Sequence, residues 1–188
     1  MSYILRSARF IAAEVFERVI QPGDKVVDAT MGNGHDTLTL CQLVGESGKV
    51  YAFDVQPSAV ENTKNRLQEA GVLDRAELYC LGHEHMLEKV EGPVSLIAFN
   101  LGWLPGGDKS ITTLWETTKK AVESALSLLK SLGVCIICAY PGHQEGDRER
   151  SELTDLLAHL APQQYNVLEH KFINAGPGAP ECFVIQRQ

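Results

Sequence analysis

No apolar run in this 188-residue chain approaches the roughly 20 residues that a helix needs to cross a bilayer. A helical membrane protein is therefore not expected. The first residues, Met1-Ser2-Tyr3-Ile4-Leu5-Arg6, lack the basic-then-apolar pattern of a secretory leader, so the expected location is the cytoplasm. Internal repeats, low-complexity tracts and linkers are missing as well, which makes one domain over 1–188 the natural reading. Basic charge is in short supply: 17 Lys and Arg against 24 Asp and Glu leave a net charge of −7. That excludes a protein that clings to nucleic acid through bulk charge. It leaves room for a local basic patch drawn from Arg6, Arg9, Lys109, Lys119, Lys120, Arg148 and Arg150.

Cysteines are few and unpatterned. There are five, Cys41, Cys80, Cys135, Cys138 and Cys182, an odd number with no disulfide-framework spacing. Cys135-Ile136-Ile137-Cys138 spells C-x-x-C, but it lies in a run from Gly133 to Tyr140 that reads as a buried strand. Residues three apart on a strand point to opposite faces, so these two thiols are not expected to meet. His83-Glu84-His85 matches neither H-E-x-x-H nor a zinc-finger spacing, and no metal site is expected.

What the chain does contain is a regular alternation of strand and helix patterns. Helices are predicted over about 5–20, 36–44, 57–70, 84–90, 112–132 and 148–160. Strands are predicted at 25–29, 49–54, 76–81, 94–99, 134–140, 165–172 and 182–186, with loops at 101–110, 141–146 and 174–180. Such alternation implies crossover connections and a largely parallel sheet covered on both faces. The last two strands have no helix between them, so a closing hairpin makes the final strand antiparallel.

Polar and glycine residues collect after the strands, where ligands of open α/β sheets bind. After the first strand comes Asp28-Ala29-Thr30-Met31-Gly32-Asn33-Gly34-His35-Asp36-Thr37. Glycine there permits close backbone approach to a ligand, and the following helix offers free N–H groups. The spacing misses the dinucleotide fingerprint G-x-G-x-x-G, because Thr37 stands at the third glycine position. Asp28 adds a negative charge that suits the ammonium and sulfonium of S-adenosylmethionine better than the pyrophosphate of NAD. Gly32 and Gly34 are expected beside the methionine portion of such a cofactor, with Asn33, Asp36 and Thr37 bonding its polar groups; Asp36 and Thr37 are equally suited to helix capping. Asp54, 26 residues beyond Asp28 and followed by Gln56, is placed to accept both hydroxyls of a ribose. His83 or Glu84 is expected beside the adenine.

After the fourth strand, Asn100-Leu101-Gly102-Trp103 sets an amide three positions before an aromatic ring. That arrangement resembles the motif of methyltransferases that act on amino groups, which often place Asn or Asp at the end of strand four and an aromatic residue three positions later. The amide oxygen accepts from the amine and the ring stacks on the substrate, although Leu101 and Gly102 stand where two prolines are usual. His143, in the Pro141-Gly142-His143 turn, is the candidate base, with a purely structural role in the turn equally open.

Four strings together, Asp28 to Thr37, Phe53-Asp54-Val55-Gln56, Phe99 to Lys109 and Tyr140-Pro141-Gly142-His143, resemble the small bacterial class I methyltransferases labelled rRNA methylases. The resemblance covers nearly the whole chain. It differs at Asn174-Ala175-Gly176-Pro177-Gly178-Ala179-Pro180, where the family has a more regular Asn-Gln-x-Asn-x-Pro-Pro segment. Characterised members methylate 5-aminomethyluridine at the tRNA wobble position. The resemblance thus implies a Rossmann-like, seven-stranded sheet of order 3-2-1-4-5-7-6 with strand seven antiparallel and helices on both faces. It further implies S-adenosyl-L-methionine as cofactor and the anticodon region of tRNA as partner; with the readings above, the expected catalytic residues are Asn100 and His143 and the expected substrate contacts Trp103 and Lys109. Whether the chain pairs with a second copy as a homodimer stays open. The rival expectations are methylation of rRNA or a small molecule, an NAD-dependent oxidoreductase, and a noncatalytic RNA-binding domain. Binding of labelled S-adenosylmethionine separates the methyltransferases from the other two.

Overall fold

The computed structural model describes residues 7–188. In chain order the elements are α1 (Ala8–Val19), β1 (Lys25–Asp28), α2 (His35–Val44), β2 (Lys49–Asp54), α3 (Pro57–Glu69) and β3 (Ala76–Cys80). A 3-10 helix (His83–Glu88) and β4 (Val94–Asn100) follow, then α4 (Trp115–Leu128), β5 (Leu129–Ala139), α5 (Gln144–Ala158), β6 (Tyr165–His170) and β7 (Glu181–Arg187). The strands form one sheet of order β3-β2-β1-β4-β5-β7-β6. All neighbours from β3 to β5 run parallel, and β7 is antiparallel to both β5 and β6. The expected order and closing hairpin are both present. Leu5 and Arg6, where the first helix was expected to begin, lie outside the described residues.

Alternating strand residues feed two apolar layers. Val27, Ile97, Phe99, Cys135, Ile137 and Phe183 pack with Ala121, Val122 and Ala125 of α4 and with Leu153 and Leu157 of α5. Val26, Leu96, Ala98, Ile136, Cys138 and Cys182 pack with Phe16 of α1, Leu40 and Val44 of α2 and Leu67 of α3. Cys135 and Cys138 are therefore on opposite faces of β5, and the C-x-x-C string is core. Central β4 is buried along Val94 to Phe99, which explains a run that is apolar except at Ser95. Among the described residues no helix is long and apolar enough to cross a membrane.

Three departures from the sequence reading are informative. The helix expected over 112–132 ends at Leu128, and β5 begins at once with Leu129 opposite Val94. Residues 130–133 then bulge out against the single residue Ser95 before pairing resumes at Leu96↔Val134. Leu126, Leu129 and Leu132 sustain a helical apolar spacing, so periodicity alone conceals the break. The helix expected from 148 begins at Gln144, because His143 caps it: its Nδ1 accepts the Gly146 amide at 3.2 Å. Finally, the segment expected as an α-helix over 84–90 is 3-10 over His83–Glu88.

Asp28 and Thr37 were expected at the ligand; both are wholly buried instead. The Thr37 hydroxyl donates to Asp28 Oδ2 at 2.6 Å and the Thr30 amide donates to Oδ1 at 3.2 Å. This pair ties the end of β1 to the first turn of α2 beneath the loop that joins them. Gly34 is likewise turned inward. It has φ of 76° and a Cβ there would lie 2.8 Å from Thr63, so its role is to let α3 approach rather than to face a ligand.

Two stability predictions follow from these features. Leu132 sits at φ 64° with its side chain 66% exposed, a left-handed conformation that costs a side chain roughly 1–2 kcal/mol. Leu132→Asn is expected to raise the unfolding free energy by about 0.5–1 kcal/mol in urea titrations. Gly133→Ala should lower it, since a Cβ there meets Lys130 O at 2.9 Å; the opposite order of the two variants would refute the bulge strain.

Burial, and then the negative charge of Asp36, push Asp28 from 3.8 up to about 7. The folded chain thus keeps a proton that the unfolded chain releases, so this group's stability contribution is full below pH 3.8 and is lost as pH rises to about 7. Asp28→Asn retains the acceptor for Thr30. Its stability relative to the unmodified chain should improve across that window, by on the order of 4 kcal/mol in total, and stay level above it. A pH-independent difference would show that Asp28 is not protonated in the fold.

Candidate active site

The loops at the carboxyl ends of the parallel strands enclose a cavity of about 920 Å³, near the upper end of the roughly 300–1,000 Å³ usual for ligand sites. One wall is made by the β1–α2 loop, where Gly32, Asn33 and Asp36 line the space. Gly32 has φ of 51°, and its carbonyl accepts from Thr63 Oγ1 at 3.0 Å. Arg66 Nε donates to the Asn33 carbonyl at 2.7 Å, so α3 holds the loop from outside. The Asn33 side chain is engaged by its neighbours, donating to Pro105 O at 3.2 Å and accepting from Asn62 at 3.0 Å.

Asp54 and Gln56 continue this wall from the end of β2. The Asp54 carboxylate is oriented by two backbone amides, Gly32 N on Oδ2 at 3.1 Å and Gln56 N on Oδ1 at 2.9 Å. Each oxygen keeps capacity for a further donor. Burial raises its pKa, and these amides oppose the shift. His83 and Glu84 close the adjoining side. His83 is almost fully buried, edge-on to Phe99 at 5.7 Å between ring centroids, and burial lowers its pKa, so the ring is neutral.

The electrostatics of this wall are one-signed. Asp36 and Asp54 line the cavity, and Asp28, directly behind, has its pKa raised in part by both. Among the described residues none of these three forms a salt bridge. Carboxylates that line a wall with no ion-pair partner favour a cationic ligand. Asp36 and Asp54 thus present carboxylates to the cavity, while the Asp28 carboxyl, Thr37 and Gly34 support the loop from beneath.

At the end of β4, Asn100 lies between this wall and a second, more apolar one. Its Nδ2 donates to Asp36 Oδ2 at 2.7 Å, and its backbone amide donates to Thr30 Oγ1 at 2.7 Å. A carboxylate only accepts, so the amide is oriented with Nδ2 toward Asp36 and Oδ1 away from it. The second wall holds Leu101, Gly102, Trp103, Tyr140 and His143. Trp103 is 37% exposed, its ring tilted on His143 at 4.6 Å, with Lys109 Nζ 5.4 Å from its centroid. Its loop is pinned at the neck by the Trp103↔Thr112 bridge and by Gly102 N donating to Thr113 Oγ1 at 2.8 Å. Thr113 in turn donates to the buried Glu149 at 2.7 Å.

The structure corrects the expectation that His143 acts as a base. Its Nδ1 lone pair is committed to the cap of α5, so the neutral ring carries its proton on Nε2, which is buried without a partner. The turn role is the one its geometry serves. Sequence reasoning included Tyr140 in the Tyr140–His143 string without giving it a role, and did not place Arg9 and Phe10 of α1 at the cavity. Nothing local marks these residues; only the sheet order brings them there.

The comparisons agree with this architecture. The family described as "Putative rRNA methylase" matches residues 50–186. The Arabidopsis thaliana "tRNA (mnm(5)s(2)U34)-methyltransferase, chloroplastic" is 42% identical over 167 residues, covering 84% of this chain and 61% of that protein, so the chain spans about three-fifths of its relative. A solved structure from Clostridium thermocellum with the same description as the family superposes with a TM-score of 0.97 at 34% identity, covering 99% of this chain and all (100%) of the other. One from Streptococcus mutans, assigned as a methyltransferase and solved in complex with SAH, has a TM-score of 0.90 at 29% identity, covering 98% and 100%. With the cavity at the switch point of a 3-2-1-4-5-7-6 sheet and a family match over most of its length, the chain belongs to this rRNA methylase family of class I methyltransferases.

Proposed function

We infer that this chain is an S-adenosylmethionine-dependent N-methyltransferase whose acceptor is the 5-aminomethyl group of a tRNA wobble uridine, with or without a 2-thio group, yielding 5-methylaminomethyluridine. The observation that carries the acceptor is the 42% identity with the plant protein named for that nucleotide. Methylation of rRNA is the second reading, favoured by the family's description.

The residues present fit the cofactor. Asp54 would hold the ribose diol, and Gly32, Asn33 and Asp36 the methionine portion. Gln56, His83 and Glu84 would surround the adenine. When bound, S-adenosylmethionine supplies an electrophilic methyl group on a cationic sulfur. The protein's task is then to bring a neutral amine to that methyl, and positioning carries the catalysis. A primary amine with a pKa like that of lysine, about 10.4, is neutral in less than about one part in a thousand at pH 7. A nearby cation and exclusion of water both lower that pKa. Asn100 Oδ1 accepts an N–H of the amine, Trp103 stacks on the uracil ring, and Lys109 supplies positive charge beside the base. The partner surface is the anticodon region of tRNA.

Incubating the purified protein with S-adenosylmethionine and tRNA bearing 5-aminomethyluridine, followed by nucleoside mass spectrometry, should reveal 5-methylaminomethyluridine. The rate should rise with pH as the amine loses its proton. Methylation of rRNA but not of this tRNA would replace the acceptor while keeping the enzyme class. For the cofactor, Asp54→Ala removes charge-assisted hydrogen bonds worth about 1.5–3 kcal/mol. Calorimetry should show S-adenosylmethionine bound at least about tenfold more weakly with the melting temperature little changed; equal affinity would remove Asp54 from the site.

A further inference from the structure

We propose that Tyr140 is a second catalytic residue at the acceptor nitrogen, sharing the amine with Asn100. This inference rests on the N-methyltransferase reading above.

Tyr140 follows the last residue of β5, beside the end of β4, and its side chain lines the cavity together with Asn100. Its hydroxyl donates to Asn100 Oδ1 at 3.4 Å, far longer than the 2.7–2.8 Å usual between two oxygens. Two oxygens at that separation share a zone in which one nitrogen lies about 2.9 Å from both. A neutral primary amine has two N–H donors and one lone pair. Donating to Asn100 Oδ1 and to the phenolic oxygen leaves the lone pair free to attack.

The phenol stays protonated across the working range. Burial above all, with the carboxylate of Asp36 nearby, pushes it up to about 12, while Arg9 opposes the rise. Tyr140 is thus an acceptor through its oxygen lone pairs and not a base. Asp36 acts one step further back, as a positioning residue: its carboxylate on Asn100 Nδ2 at 2.7 Å fixes the amide and draws electron density toward Oδ1. As the nitrogen gains its methyl group it becomes cationic. The two oxygens and the carboxylate behind them then face the growing positive charge, and the surplus proton leaves to water.

Tyr140→Phe removes only the hydroxyl. Melting temperature and S-adenosylhomocysteine affinity should stay within experimental scatter and threefold, respectively. Single-turnover methylation at saturating cofactor and tRNA should fall at least thirtyfold, with the KM for tRNA changed less than threefold. A binding readout accompanies the rate. With S-adenosylhomocysteine present, the unmodified protein should prefer tRNA carrying the aminomethyl group over tRNA with plain uridine, and the variant should lose most of that preference. An unmodified enzyme that leaves this tRNA untouched but methylates rRNA overturns the tRNA reading, and Tyr140→Phe is then compared on that rRNA with the same thirtyfold loss expected. A variant within threefold of the unmodified rate, on whichever RNA is methylated, overturns the role of Tyr140.

Discussion

The ligand-binding end of this protein hangs on one hydrogen bond, from the Thr37 hydroxyl to the buried carboxyl of Asp28. It fastens α2 to β1 beneath the loop that wraps the cavity. With Thr37 anchored, Asp36 is directed to the cavity side of α2, and there it meets Asn100 at the end of β4. The orientation of the amide is therefore inherited from a contact outside the cavity. A buried acid is a costly fastener.

Much of this was legible in the chain and some was not, for identifiable reasons. The β1–α2 loop, Asp54 and Asn100 declare themselves because polar and glycine residues directly follow short apolar strands. The sheet order was implied by the family resemblance and matches, as do the opposite faces of Cys135 and Cys138. What failed was local discrimination. Thr37 and Asp28 read as ligand contacts because a polar residue beside a glycine loop is expected to face the ligand, whereas these two satisfy each other in the core. The α4–β5 junction was hidden by leucines whose spacing suits a helix on both sides of the break. His143 and Gly146 resembled a loop, although the histidine is the cap that starts α5 and the glycine leaves room for its ring, where a Cβ would lie 2.6 Å from Nε2.

Tyr140 and Arg9 illustrate a different limit. Each was named from the sequence, one in a family string and one in a basic patch, but its place at the cavity follows only from distant neighbours, as with Tyr140 and Asn100, 40 positions apart. A strand-end residue gains its chemistry from which strand lies beside it. In this sheet β4 and β5 are adjacent and parallel, so their carboxyl ends deliver an amide and a phenol to one point.

The neck of the Trp103 loop has a consequence for how such enzymes diversify. Two strands' worth of constraint, the Trp103↔Thr112 bridge and the Thr113–Glu149 contact, close the loop before its tip. The exposed tip at 106–110 contributes no residue to the apolar core. Residues can be inserted, removed or exchanged there while the tryptophan and the amide keep their places, because loop tips tolerate change where the ends are held. The fold thereby separates a fixed cavity wall from a tip that is free to vary.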